Sequence, residues 1–183
     1  MQDAKALTLI SRRYADRFGA TPTLDYPHIA HQPRADGEIG AALGYRWADN
    51  GPLFLETYLD APIEALLSHH LARTVERGRI VEIGNLAADV APAMIRLWAQ
   101  AANDLGDLAE IAVAVLSAEL RAMFGRLGVT LHMLARADAD RLGGAAEQWG
   151  SYYRGDPWIC AGFIAEGQGR LARFSTAVQG QTA

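Results

Sequence analysis

Apolar residues recur at helical spacing from Lys5 to Phe18, where Leu7, Ile10, Tyr14 and Phe18 share one stripe. Gly19 follows as a C-cap. Residues 22–34 read as extended, because Pro22, Pro27 and Pro33 exclude a helix interior. Asp36-Gly37 marks a tight turn, and Glu38 to Trp47 reads as a strand. Residues 48–52 form a loop, and Leu53 to Leu59 is expected to extend the strand pattern. Asp60-Ala61-Pro62 then opens a helix over 61–77, with Asp60 as cap and Ile63, Leu66, Leu67, His70 and Leu71 on one face.

The next segment, Arg79 to Ala87, is the most informative. Ile80, Val81 and Ile83 are β-branched, as a packed strand prefers, yet Glu82 interrupts the apolar run. A buried carboxylate is costly unless it is paired. Gly84 removes a side chain where another group can approach the backbone, and Asn85 follows. A helix over 91–105 carries Met94, Leu97, Trp98, Ala101 and Leu105 inward, with Asp89 as its expected cap. A strand over 110–116, a helix over 118–127 capped by Ser117, and a strand over 129–135 come next. Residues 138–150 read as a helix broken at Gly143-Gly144, and 158–165 as a last strand.

This order predicts an α/β fold with a single mixed central sheet flanked by helices and the strand 79–86 at its centre. Residues 1–166 are expected as one domain. Residues 167–183, rich in Gly, Gln and Ala, are expected as a mobile tail. In such sheets, ligands sit beyond strand ends, near helix N-termini.

Composition narrows the chemistry. Of 183 residues, 50% are hydrophobic and 21% are charged, which describes an ordinary globular chain. The formal net charge of -4 argues against nucleic acid as the main partner. A single cysteine, Cys160, excludes an intrachain disulfide and reads as a small core residue. The N-terminus lacks the apolar stretch of a secretion signal, so a cytoplasmic location is expected, and no run is long enough to span a membrane. Neither dinucleotide nor P-loop glycines are present, and no His-Glu-x-x-His or paired-cysteine motif suggests a metal. His69 and His70 are adjacent, so on a helix they point in different directions. The residues alone therefore give an α/β fold with a carboxylate on its central strand.

A run of segments takes the reading further. They are Gly44-Tyr45-Arg46, Leu53 to Glu64 ("LFLETYLDAPIE"), Ile80 to Ala87 ("IVEIGNLA"), Leu120 to Gly128, Ala135 to Asp138, and Trp149 to Tyr153 ("WGSYY"). In this order they resemble the thermostable hemolysin family, which is itself similar to GNAT-type acyltransferases and to the layout of acyl-homoserine-lactone synthases. The resemblance implies a protein that moves an acyl group from a pantetheine thioester to an amine acceptor. Coenzyme A or an acyl carrier protein would serve as co-substrate, with no tightly bound cofactor and no metal. The arm would lie beside a splayed strand at Gly84, Asn85, Leu86 and Ala87, with a pyrophosphate at the start of the 91–105 helix. Glu82 would be the general base, directly or through water, unless it is held in an ion pair by Arg46 or Arg79.

The resemblance also implies that Tyr152, or Tyr153, protonates the leaving thiolate, since Phe124 stands where many acetyltransferases have a tyrosine. Trp149, Tyr152 and Tyr153 would line an acyl pocket or pack the core. Glu56 would hold the amine or pair with Arg46, itself a substrate-binding candidate, and Arg136 would pair with Asp138. The glycine-rich turn of acetyltransferases is replaced by Ala87 to Met94. There Asp89 opposes a phosphate and Pro92 removes an amide, so a carrier-protein donor is expected to fit better than coenzyme A. A slot beside Gly84 is expected, reached by Glu82, Asn85 and one of Glu56, Tyr152 or Tyr153. The other class considered is a non-enzymatic membrane-perturbing or binding protein, as the family name suggests.

Overall fold

The computed structural model describes residues 1–23 and 25–175. Helix α1 (Gln2–Phe18) ends at Gly19 in the left-handed conformation, as its C-cap position requires. Strands β1 (His28–Pro33) and β2 (Ile39–Trp47) form an antiparallel pair. After helix α2 (Ile63–Leu71) come β3 (Ile80–Ala88), α3 (Ala91–Leu105), β4 (Ile111–Leu116), α4 (Ala118–Arg126) and β5 (His132–Arg136). Strand β6 (Trp158–Phe163) leads directly into α5 (Ile164–Ser175).

One mixed sheet contains six strands in the order β1-β2-β3-β4-β6-β5, with β3 inside it as expected. β3 and β4 are parallel, and α3 is their crossover. Val81 and Ile83 of β3 pack toward α3, with Leu97, Trp98 and Leu105 among the residues of that layer. Ile80 faces the opposite layer, built with Leu55, Ile63, Leu67 and Ile159. α1 covers the same side further along, where Ile10 and Tyr14 pack with Ile39, Ala42 and Ala87.

Several expectations are corrected by packing or capping. Residues 53–59 do not extend the sheet; Phe54–Tyr58 is a 3₁₀ turn with Leu55 and Tyr58 buried. α2 stops at Leu71 because Ala72 adopts a left-handed conformation, so 72–76 is not helical, and a 3₁₀ turn follows at Arg77–Arg79. Neither Asp60 nor Asp89 caps a helix: Pro62 and Val90 stand at those positions, and the aspartates pair with arginines instead. Residues 139–149 form 3₁₀ turns broken at Gly143, and β5 starts at His132 rather than 129. Residues 167–175, expected in a mobile tail, are helical; the rest of that tail lies outside the described residues.

The helical segment α5 packs on α3, with Ile164 and Leu171 buried in the α3 layer. Leu171 is 3% exposed. Leu171→Ala should therefore cost about 2–4 kcal/mol, the usual range for a buried leucine. Urea denaturation measures this, and an unchanged midpoint would mean that the segment contributes no packing.

Candidate active site at the splayed strands

β3 and β4 pair only from Ile80↔Ile111 to Ile83↔Ala114, then separate. β3 keeps its other partner across an irregularity: Gly84 faces Gly44 and Ala87 faces Ala42. Leu43 alone therefore stands opposite Asn85 and Leu86, which is a β-bulge. Asn85 has φ 53, a conformation that asparagine tolerates better than most residues. The extra residue reverses the strand's sidedness, so Leu86 and Ala88 join the α3 layer while Ala87 joins the α1 layer.

A cleft of about 180 Å³ runs along this part of β3 between α1 and α4. Its wall includes Tyr14, Asn85, Ala88, Met94, Leu120 and Tyr152. Gly84, Leu86 and Ala87 line it too, so the four residues expected to receive a pantetheine arm lie together. Asn85 is 7% exposed, and its side chain makes no hydrogen bond among the described residues. Asp89 at one end is faced by Arg12 at 2.7 Å and Arg34 at 3.4 Å. The charge expected to repel a phosphate is thus neutralised, and Arg13 and Arg17 line the same cleft.

Glu82 is 1% exposed and stands directly across from Arg46 in the β2–β3 ladder. Its carboxylate accepts from the Phe54 amide at 3.0 Å and the Leu55 amide at 2.8 Å. Arg46 Nε lies 3.5 Å from it, and the guanidinium also donates to Asp25. Burial pushes the Glu82 pKa up, against the pull of the two amides and Arg46. Arg79 plays no part here; it donates to the Leu108 carbonyl.

Glu56 is not placed with these groups. It caps the backbone amides of Leu53 and Ile63 and pairs with Arg77 rather than Arg46. Burial alone would raise its pKa, but Arg77 and the two amides pull it down to about 2. Asn85 and Tyr152 line the cleft and a small cavity beside it, as expected, whereas Glu82, like Glu56, is absent from the walls of both. The Glu82 carboxylate is turned to the Phe54 and Leu55 amides and Arg46, which corrects the expectation that it reaches the slot. Arg136 likewise pairs with Asp156, not Asp138.

The missing side chains of Gly44 and Gly84 are accounted for by Tyr26, which lies over both. A Cβ on Gly84 would come 2.1 Å from the Tyr26 hydroxyl, and one on Gly44 would meet its ring. Arg46 stacks on the same ring, 4.7 Å from its centroid. Gly84 is therefore roofed by the chain itself on this side. A small cavity of about 40 Å³ remains, lined by Tyr26, Gly84, Asn85, Trp149 and Tyr152 among others. Tyr152 donates toward the Val115 carbonyl at 3.4 Å, and burial raises its pKa well above the ordinary value. Tyr153 instead shares a 2.6 Å hydrogen bond with Tyr58.

A third hollow, about 100 Å³, lies on the opposite face of the sheet beneath α3 and α5. Ile83, Trp98, Leu105, Phe124 and Leu171 are among its apolar walls. It shares Leu86 with the cleft and Ile83 with the small cavity, so the three hollows adjoin at the separation of the strands. Phe124 stacks on Trp98 at 3.9 Å. Cys160 also lines this hollow, and burial pushes its thiol pKa up to about 11. Among the described residues, no group of three or more His, Cys, Asp or Glu is placed to hold a metal ion.

No motif or period in the sequence marks Tyr26 or Arg13, or the site roles of Tyr14, Trp98 and Arg77. A glycine pair at Gly44 and Gly84 was the available signal for a bulky neighbour. Its identity was hidden in a proline-rich segment with no periodic pattern.

The arrangement of strands and helices is the GNAT-like fold of acyl-homoserine-lactone synthases and N-acyl amino acid synthases. FeeM, an N-acyl amino acid synthase from uncultured soil microbes, is 14% identical with a TM-score of 0.59, over 92% of this chain and 94% of that one. TofI, in a ternary complex with an inhibitor and MTA, is 20% identical with a TM-score of 0.58, over 94% and 91%. MesI, a CoA-dependent acyl-homoserine lactone synthase, is 14% identical with a TM-score of 0.53, over 92% and 86%. The family model for thermostable hemolysin matches residues 1–168, and the chain belongs to that family. A search of curated proteins found no match.

Two predictions follow from these contacts. Gly84→Ala should cost about 1–3 kcal/mol, the range for overpacking, and markedly less in a Tyr26→Ala background. Urea denaturation of the four-member cycle measures the difference, and equal costs in both backgrounds would remove Tyr26 from the account. Glu56 has a depressed folded-state pKa, so its contribution is present above the ordinary value of 4.5 and is lost as pH falls toward about 2. Glu56→Gln should lower stability at neutral pH and flatten the loss below pH 4.5, read from thermal melts across that range.

Proposed function

We propose that the chain is an N-acyltransferase, moving an acyl group from a pantetheine thioester of coenzyme A or a carrier protein to an amine. The observation that carries this reading is the separation of β3 from β4 after Ile83 and Ala114, with a bulge beside a cleft. Strand separation leaves β3 backbone amides and carbonyls without a partner on that side. An extended arm containing amides can pair with them as an added strand would. The fold shared with FeeM and MesI supports the same class of chemistry.

In this proposal the arm lies along Gly84 to Ala88 with Asn85 as a polar contact for its amide or for the thioester carbonyl. The amine nitrogen attacks the thioester carbonyl carbon, a C–N bond forms and the C–S bond breaks. Glu82 is the proton acceptor, and burial moves its pKa in the direction a base needs. Its oxygens face the Phe54 and Leu55 amides and Arg46, so the proton reaches it through water. Tyr152, kept protonated by burial, hydrogen-bonds the departing sulfur, which takes its proton from solvent. The acyl chain occupies the apolar hollow under α3, in place of the Trp149–Tyr153 pocket expected from the sequence.

Arg46 orients Glu82, and Trp149 with the small cavity under Tyr26 receives the acceptor. A membrane-perturbing role finds no specific support. The large apolar side chains exposed among the described residues, Met1, Val90, Leu108 and Met133, sit on separate segments, and no helix there is long and apolar enough to cross a membrane.

Acyl-coenzyme A and acyl-carrier donors incubated with a panel of amines and amino acids should give an amide and a free thiol by mass spectrometry. Glu82→Gln should lower that turnover by about two orders of magnitude. Full turnover in this variant, together with a lower melting temperature, would confine Glu82 to holding the Phe54–Leu55 turn. Absence of product from every donor, with liposome leakage instead, would overturn the enzyme reading.

A further inference from the structure

The apolar hollow beneath α3 contains one feature that a plain hydrocarbon ligand leaves unexplained. Its walls are made of Ile, Leu, Val, Ala, Gly, Phe, Trp and Cys side chains. None of these offers a strong hydrogen-bond acceptor, and two carry a donor. The Cys160 thiol is directed to the Trp158 carbonyl at 3.6 Å. The other donor, the indole N–H of Trp98, is buried without any hydrogen-bond partner among the described residues. Trp98 is 6% exposed, and its ring is fixed by stacking on Phe124.

A buried indole N–H normally finds a partner, and leaving one unmet costs stability. A phenylalanine would supply the same stacking without that cost. The position along the helix gives further information. Met94 lines the cleft, and Trp98 is the next residue of α3 on the same side, one turn deeper. Ala101, Ala102 and Leu105 line the hollow beyond it. Trp98 is therefore the α3 wall residue of the hollow nearest the cleft.

We propose that the hollow binds an aliphatic chain bearing one hydrogen-bond-accepting oxygen, a hydroxyl or keto group, near its carboxyl end, and that Trp98 Nε1 donates to that oxygen. This rests on the reading of the hollow as the acyl site, and it names the substrate class within that site. The chain's tail lies against Ala101, Leu105 and Leu171, where no polar side chain meets it.

The test uses full-length protein and Trp98→Phe, which keeps the stack on Phe124. Isothermal titration is carried out with octanoyl-coenzyme A and its 3-hydroxy and 3-oxo analogues, and with octanoic and 3-hydroxyoctanoic acids. The native protein should bind the oxygenated members about tenfold more tightly, the usual worth of one net hydrogen bond. Trp98→Phe should remove that preference, so that oxygenated and unsubstituted chains bind the variant equally. A preference that survives in Trp98→Phe, or no preference in the native protein, overturns the proposal. If the free acids show the Trp98-dependent preference and the thioesters do not bind, the oxygenated-chain site stands and the thioester-donor reading falls. If thioesters bind with equal affinity whatever their oxygen content, the donor reading stands and this inference falls.

Discussion

One inserted residue in β3 sets the arrangement of the site. Up to Gly84 the strand is bonded on one side to β2, and up to Ile83 to β4 on the other. Beyond that point Asn85 and Leu86 share a single partner, Leu43. The bulge puts Ile83 and Leu86 on the same face, although an unbroken strand would place residues three apart on opposite faces. It also puts Asn85 where the cleft and the small cavity adjoin. Without it the strand would keep one alternation, and Leu86 and Ala87 would exchange layers.

Glu82 belongs to the same construction. It lies two residues before Gly84 on the same face, and its cross-strand partner is Arg46. The carboxylate ties the Phe54–Leu55 turn to the sheet, so a segment that carries no strand is still held against it. Glu56 then fixes the other side of that turn to Arg77 and to the start of α2. Two carboxylates thus brace one short turn, one from the sheet and one from within the turn. Their pKa values move in opposite directions because the first is deeply buried and the second faces a guanidinium more closely.

Much of the sheet was legible in the sequence. The β-branched run at Ile80 to Ile83, the alternation at Ile111 to Leu116 and the stripe of α3 all carry a period that burial imposes. Segment 53–59 and the far end of the 61–77 helix depart from expectation for a common reason. Their apolar residues point into a layer built by a 3₁₀ turn and a short helix, and such turns have no long period to detect. Gly167, Gln168 and Gly169 give residues 167–175 the composition of a loose tail, yet α5 is held by tertiary packing of Leu171 and Ile164. At the site, Glu82, Gly84 and Asn85 stood out because each breaks a local rule. Partners brought from far along the chain, Tyr26, Arg77 and Trp98, break none, so nothing local marked them.

Tyr26 roofs only one of two chambers that share Gly84, Asn85 and Tyr152 as a wall. The long cleft is built by α1, β3 and α4, all regular elements packed into the main layers. The small cavity on the other side of Asn85 includes Thr23, Asp25 and Tyr26, from the irregular segment between α1 and β1. Substitution in that segment can reshape one chamber while the other keeps its form. A change in a strand or helix disturbs a packed core, whereas a connecting segment tolerates change more readily. Divergence within such a lineage would accordingly register first in the chamber beneath Tyr26, long before the strand below it changed.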